Sequence, residues 1–280
     1  MKNYAVIGSP IKHSMSPYMH NEHFSAQSDA AYYSGYDVCP SDLPEAVRAF
    51  KTLGVSGWNV TVPHKVDIMN LLDDVDIEAK MIGAVNTVVN DGGKLTGYNT
   101  DGKGFLNALL AMTGSEALRE MNVLMIGAGG AARAVAYSLL THGVKSLSVV
   151  NRTEERAEKI AADFASIGAM DVYSTNDITP LLPQFDCVIN TTSIGLQGEQ
   201  LTLIDSTKLR SGVYLSDLIY NPSETAWLKT HRTNARAVQN GLGMFIEQAA
   251  LAYELWSHRE ANRTVMKQTV ERKLGIPHAT

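Results

Sequence analysis

The chain has 280 residues, 45% of them hydrophobic, which is enough for one large domain or two of medium size. Its formal net charge is −5, and it has no long basic run, which argues against nucleic acid as the main partner. The first apolar run is too short for a signal peptide, and no later segment is continuously apolar over about 18 residues, so a cytoplasmic protein without a membrane partner is expected.

Cys39 and Cys187 stand far apart, with no CxxC or Cys/His cluster to suggest a metal site, and are read as reduced, partly buried thiols.

The elements alternate. Residues 4–8 predict a strand, 16–27 a helix, and 32–38 a second strand. Residues 41–54 carry a helix start signal and a glycine stop. Residues 56–62 predict the next strand, and two short helices lead to a hairpin over 84–99 that turns at Asp91, Gly92 and Gly93. A fresh alternation begins near residue 121. Residues 122–144 read as strand, glycine turn and helix, 146–152 as a strand and 153–168 as a helix. Further strands are expected at 185–192, 213–220 and 235–239, followed by helix from about 243 to 273. Two alternating blocks predict an α/β protein of two domains, each with a mostly parallel sheet. The joint falls in 100–114, and the cleft between the domains is the default site.

The turn "GAGGAA", 127–132, follows a strand and opens a helix, in the manner of a dinucleotide fingerprint. Gly127 permits the tight turn, Gly129 permits close approach of a pyrophosphate, and Ala132 lets the helix pack on the sheet. The helix N-terminus adds free N–H groups and partial positive charge. After the next strand, where an NAD enzyme usually carries an acidic residue, the chain has Asn151, Arg152 and Thr153, with Arg156 a turn later. Arginine pairs with a 2′-phosphate that a carboxylate would repel, so NADP is favoured over NAD.

In the first block Ser14 and Ser16 flank Met15 ahead of a helix. One N-cap needs one serine; two hydroxyls at i and i+2 could also bind a carboxylate or sugar-like hydroxyls. Thr61, Asn86 and Gln248 add neutral hydrogen-bonding groups that suit a small polyhydroxylated ligand. Lys65 follows the "NVTVP" strand end, and Asp101 ends "GYNTD". Asp101 reads either as a helix N-cap or as the partner of Lys65 in an acid/base pair. Hydride reduction of a ketone leaves a developing alkoxide, to which a lysine ammonium can donate a proton. His64 is read as polar rim.

At these residues the chain resembles the shikimate dehydrogenases. "SMSP", "NVTVPHK", "GAVNT", "NTDG", "GAGGAA", "NRT", "TTSIG", "YNP" and "EQA" occur in the family's order over nearly the full length. The resemblance implies a substrate-binding and catalytic domain over 1–101 and 243–280 and a Rossmann-type NADP-binding domain over 102–242. It implies reversible, NADP-linked reduction of 3-dehydroshikimate to shikimate in aromatic amino-acid synthesis. By motif position it implies Lys65 as general acid/base with Asp101 its partner. It places Ser14, Ser16, Thr61, Asn86, Tyr220 and Gln248 on the substrate. It places Gly127, Ala128, Gly129, Gly130, Ala131, Asn151, Arg152, Thr153, Arg156, Leu218 and Gly241 on the cofactor. Leu196 stands after "TTSIG", where the family often has methionine, an apolar exchange of mild effect. A quinate/shikimate dehydrogenase using NAD or NADP is the nearest alternative; Thr153 after Arg152 and the presence of both serines speak against it. A non-catalytic NADP-binding regulator would have lost Lys65 or Asp101. The sequence leaves monomer and homodimer open.

Overall fold

The computed structural model describes residues 1–276. The chain begins with β1 (Lys2–Gly8), α1 (Ser16–Ala26) and β2 (Ala31–Asp37), then α2 (Leu43–Thr52) and β3 (Gly57–Val60). The two-residue β4 (Asp74–Val75), α3 (Ile77–Ile82), and the hairpin β5 (Thr87–Asp91) and β6 (Lys94–Tyr98) follow. Helix α2 shows why such segments fold as they do. Pro44 sits in its first turn, and Leu43, Val47 and Phe50 form one buried stripe at helical spacing.

The first sheet has the order β2-β1-β3-β5-β6-β4. It is parallel-rich: β1 runs parallel to β2 and β3, and β4 parallel to β6. The hairpin adds antiparallel pairs, β3 with β5 and β5 with β6. Side chains alternate across β1, so Ala5 and Ile7 join Val47, Phe50 and Trp58 on one face. On the other face Tyr4 stacks on Trp256, ring centroids 4.8 Å apart. Strand β3 is shorter than the predicted 56–62. The Thr61 N–H still donates to Ile7 O, but Val62 is exposed and the chain turns at once, His64 N–H donating to Thr61 O.

The second block runs α4 (Asp101–Thr113), α5 (Ser115–Arg119), β7 (Asn122–Ile126), α6 (Gly130–His142), β8 (Ser146–Val150), α7 (Glu154–Asp163), β9 (Asp171–Tyr173), β10 (Cys187–Asn190), β11 (Tyr214–Asp217), α8 (Ala226–His231) and β12 (Ala237–Gln239). Its sheet, β12-β11-β10-β7-β8-β9, is parallel throughout. A parallel sheet covered on both faces needs apolar residues at successive positions of its central strands. Val123 and Met125 face the cluster that holds Phe105, Leu109 and Val135, whereas Leu124 and Ile126 face Val188, Leu215 and Trp227. Cys187 lies in the first cluster, its thiol pushed up to about 12 by burial; Cys39 is exposed, and both are free.

Helix α9 (Leu242–Ser257) and helix α10 (Arg263–Leu274) close the described chain. The predicted continuous helix breaks between them, where His258 takes a left-handed φ of 54° and the Asn262 side chain caps α10 through Val265 N–H. Contacts divide the chain into two compact units, Met1–Thr100 with Ile246 onward, and Asp101–Phe245. The second division falls inside α9. Among the described residues no helix is long and apolar enough to cross a membrane.

Candidate active site

Lys65 lies in the turn that leaves β3. Two bonds fix its backbone. Its own carbonyl accepts from Val85 N–H at 2.8 Å, and the neighbouring His64 carbonyl accepts from Ile68 N–H at 3.0 Å. His64, expected at a polar rim, is instead fully buried, with Nε2 2.7 Å from Val38 O. A carbonyl only accepts, so Nε2 carries the proton. The ring therefore pins the turn from beneath, and Lys65, half-buried, is the next residue along.

Asn86 follows Val85 and is buried. Its Oδ1 accepts from Thr100 N–H at 2.8 Å and from the Thr87 hydroxyl at 3.0 Å, and its Nδ2 donates to Thr100 Oγ1 at 2.9 Å. These partners orient the amide: the oxygen is committed within the fold and the nitrogen is the side that donates. Thr100 ends the first unit, and Asp101, also buried, is the next residue and the first of α4. Asp101 is thus inside the helix rather than its cap.

Neither serine caps α1: its N-cap is Met15, without a side-chain bond, and Ser16 is its first helical residue. The Ser14 hydroxyl accepts from Ser16 N–H at 3.3 Å. Ser16 is buried. Thr61, half-buried, opens the Lys65 turn, and Gln248, half-buried, lies on α9.

In the second unit Gly127 has φ of 109°, where a side chain is strained, and a Cβ there would stand 2.6 Å from Thr191 Oγ1. Gly129 and Gly130 have no protein atom within 4 Å of such a Cβ, and α6 has no side-chain cap. Protein packing does not require glycine at these two positions, and the helix N–H groups there are left for an external acceptor. That fits a pyrophosphate. Ala128 and Ala131 complete the turn and are half-buried. Beyond β8, Asn151 Nδ2 donates to Thr153 O at 2.7 Å, shaping the turn into α7. Arg152, Thr153 and Arg156 are exposed there, which leaves two guanidinium groups free to approach a phosphate.

The loops after β10 and β11 share one anchor, the buried Asp217. Its Oδ1 accepts from Asn190 Nδ2 and from Ile219 N–H, both at 3.1 Å, and its Oδ2 from the Thr225 hydroxyl at 2.8 Å. Burial pushes this carboxyl above its ordinary pKa, against the three donors that pull it down. Asn190 in turn holds the Thr192 N–H and hydroxyl, at 3.0 and 2.7 Å, and donates to Ile194 O. Leu218 N–H donates to Asn190 O, and Gly241 N–H to Ile219 O, both at 3.0 Å. A Cβ on Gly241 would fall 1.9 Å from Leu218 O, so only glycine allows this approach. Tyr220 stacks on Phe245 with centroids 4.8 Å apart, and burial raises its pKa. Leu196 is half exposed on the loop after β10. Sequence reading did not single out Asp217, Asn190 or Asn59, and it placed His64 at a polar rim. Their one available signal was a polar residue inside an otherwise apolar strand or strand end.

Comparison with known proteins gives three family-model matches in sequence order. A shikimate dehydrogenase substrate binding domain matches residues 6–88, a shikimate / quinate 5-dehydrogenase 109–209, and a shikimate 5′-dehydrogenase C-terminal domain 241–271. A shikimate dehydrogenase (NADP(+)) of Bacillus cereus (strain AH187) is 47% identical over 274 residues, which are 97% of this chain and 98% of that one. A shikimate dehydrogenase solved in complex with NADP+ matches with a TM-score of 0.90 and 38% identity, covering 98% of this chain and 96% of its own. A quinate dehydrogenase from Corynebacterium glutamicum, solved with NAD, matches with a TM-score of 0.90 and 32% identity, over 97% and 99%.

Proposed function

The chain belongs to the shikimate dehydrogenase family, and from that premise we propose that Lys65 is the general acid/base of an NADP-dependent interconversion of shikimate and 3-dehydroshikimate, with Asp101 as its partner. Bound NADP+ supplies the hydride acceptor. In the oxidising direction neutral Lys65 Nζ takes the proton of the reacting hydroxyl as the adjacent C–H leaves as hydride. In the reducing direction the Lys65 ammonium returns that proton to the forming alkoxide.

The observation that carries this reading is the pair Val85 and Asn86. One holds the Lys65 carbonyl, and the other holds Thr100, the residue bonded to Asp101. Two adjacent positions thus set the backbones from which both ionisable groups project. Ser14 and Ser16 are assigned to the substrate carboxylate, and Thr61, Asn86, Tyr220 and Gln248 to its hydroxyl and carbonyl oxygens. Residues 1–101 and 243–280 form the substrate domain, and 102–242 the NADP domain. Gly127 to Ala131 take the pyrophosphate, and Asn151, Arg152, Thr153 and Arg156 the 2′-phosphorylated ribose. Leu218 and Gly241 line the nicotinamide side. Turnover measured with shikimate and with quinate, each with NADP+ and with NAD+, tests the proposal. Shikimate with NADP+ is expected to give the highest kcat/KM; preference for quinate or NAD+ would replace this reading with that of the quinate relatives.

A further inference from the structure

The strand order of the second sheet reverses once. From β7 the chain runs outward through β8 to β9, then crosses to β10 on the other side of β7 and continues through β11 to β12. The carboxyl ends of β7 and β10 therefore flank the crevice in which such sheets take their ligand. The glycine turn leaves β7 and rests on the end of β10: a Cβ on Gly127 would stand 2.6 Å from Thr191 Oγ1 and 2.8 Å from Thr192 Cγ2. The segment from Leu218 to Tyr220 leaves β11, the next strand out.

Asp217 joins these strand ends. Its Oδ1 accepts at 3.1 Å from Asn190 Nδ2, on the last residue of β10, and at 3.1 Å from Ile219 N–H. Its Oδ2 accepts from the Thr225 hydroxyl at 2.8 Å. Each proton is used once. The second Nδ2 proton of Asn190 goes to Ile194 O, and its Oδ1 accepts from the Thr192 N–H and hydroxyl. Leu218 is enclosed by the same arrangement: its N–H donates to Asn190 O at 3.0 Å, and Gly241 closes on its carbonyl. Asp217 and Asn190 are both buried, so solvent does not readily replace their bond once it is broken.

We propose that Asp217 is a positioning residue for the nicotinamide half of the cofactor. Through Asn190 it ties the segment lining the nicotinamide side to the strand end on which the pyrophosphate turn rests, so the two seats keep a fixed spacing. Asp217 itself touches no cofactor. This rests on the assignment of the glycine turn to the pyrophosphate and of Leu218 to the nicotinamide side.

The test is the single-turnover rate of NADP+ reduction by shikimate, which isolates hydride transfer from product release. It is paired with the Kd of 2′,5′-ADP, a probe that carries the adenosine and 2′-phosphate but no nicotinamide. Asn190→Ala breaks the link from the β10 side and is expected to slow the single turnover about ten- to a hundredfold, as for a misplacement of about 1 Å. The Kd of 2′,5′-ADP should stay within about twofold, because the adenine side is not held by this link. Asp217→Asn keeps the link through its carbonyl and should retain the rate within about threefold. Thr192→Val removes only the hydroxyl on Asn190 Oδ1 and should also retain it; a loss as large as that of Asn190→Ala would move the effect to Thr192 and overturn the inference. A merely structural link would lower Tm and leave the rate of the folded protein unchanged, which overturns the inference. A parallel loss of 2′,5′-ADP affinity overturns it too, since the damage is then general. Leu218→Ala separates the two readings and is expected to lower kcat/KM for NADP+ about tenfold. If it does and Asn190→Ala does not slow the turnover, the inference alone fails; if Leu218→Ala changes nothing, the nicotinamide assignment fails and takes the inference with it. Should Asn190→Ala not fold, Asn190→Ser shortens the same side chain away from Asp217 and carries the same expectation; an unchanged rate there overturns the inference.

Discussion

Replacing Asp217 separates the loss of a buried acceptor from the loss of a charge. The carboxylate satisfies three buried donors, Asn190 Nδ2, Ile219 N–H and the Thr225 hydroxyl. Asp217→Ala leaves all three without that acceptor, and at about 1–3 kcal/mol for each orphaned group the cost is roughly 3–9 kcal/mol. Asp217→Asn is different. Its carbonyl can keep the bonds now made by Oδ1, and its amide can donate to Thr225 Oγ1, since a hydroxyl reverses its role. Thr225 then remains the cap of α8, whose Leu228 N–H it accepts. The cost of Asp217→Asn should be about 1 kcal/mol. Urea unfolding is the assay, followed with and without NADP+. The transition that NADP+ shifts to higher urea belongs to the unit that binds it. Asp217→Ala should lower that transition several times more than Asp217→Asn. An Asp217→Ala protein within about 1 kcal/mol of wild type, or equal costs for the two variants, would refute the bookkeeping of donors.

Arg152→Ala should raise the KM for NADP+ by one to two orders of magnitude, about 1.5–3 kcal/mol for a charge-assisted contact, and barely affect that for NAD+; an unchanged NADP+ KM would place the 2′-phosphate elsewhere. Gly241→Ala should weaken NADP+ binding and lower Tm, because the added Cβ meets Leu218 O at 1.9 Å; calorimetric titration showing wild-type affinity would remove Gly241 from the cofactor side. Burial lowers the His20 pKa to about 3 and lowers that of His23, whose Nε2 accepts from Asn262 N–H. His20 stays neutral in the folded chain down to about pH 3 while the unfolded chain takes up protons near pH 6.5, so stability is lost as pH falls below 6.5, and the lowered His23 adds in the same direction. For His20 alone the loss between pH 8 and pH 5 is about 2 kcal/mol; His20→Phe should flatten the dependence of Tm on pH, and an unaltered slope would contradict this.

Where the sequence was legible, one periodicity decided the matter. The short apolar runs of β7 and β10, set between helical stretches, pointed to a parallel sheet covered on both faces, and "GAGGAA" sits at the turn from β7 into α6, where a fingerprint belongs. Strand β9, Asp171–Tyr173, escaped because three residues at a sheet edge carry no usable alternation. Helix α8 escaped because six residues give less than two helical turns of pattern. His64 was read as polar rim, but its ring turns inward to Val38 while Pro63 before it is exposed. The groups that position the site depend on partners distant in sequence. Asn59 reaches Thr87 and Tyr33, and Asp217 reaches Asn190, each across more than twenty residues. No local pattern encodes such pairings, so a polar residue in an apolar strand shows that a partner must exist without saying which.

The most direct test of the central claim is kcat for Lys65→Ala with shikimate and NADP+ at saturation, alongside the shikimate KM. Loss of a general acid/base predicts a fall in kcat of roughly 10²–10⁴. The KM should change far less, since the proton is shared mainly in the transition state. A Lys65→Ala enzyme that keeps more than about a tenth of wild-type kcat would contradict the account and move the proton to Asp101 or to bound water.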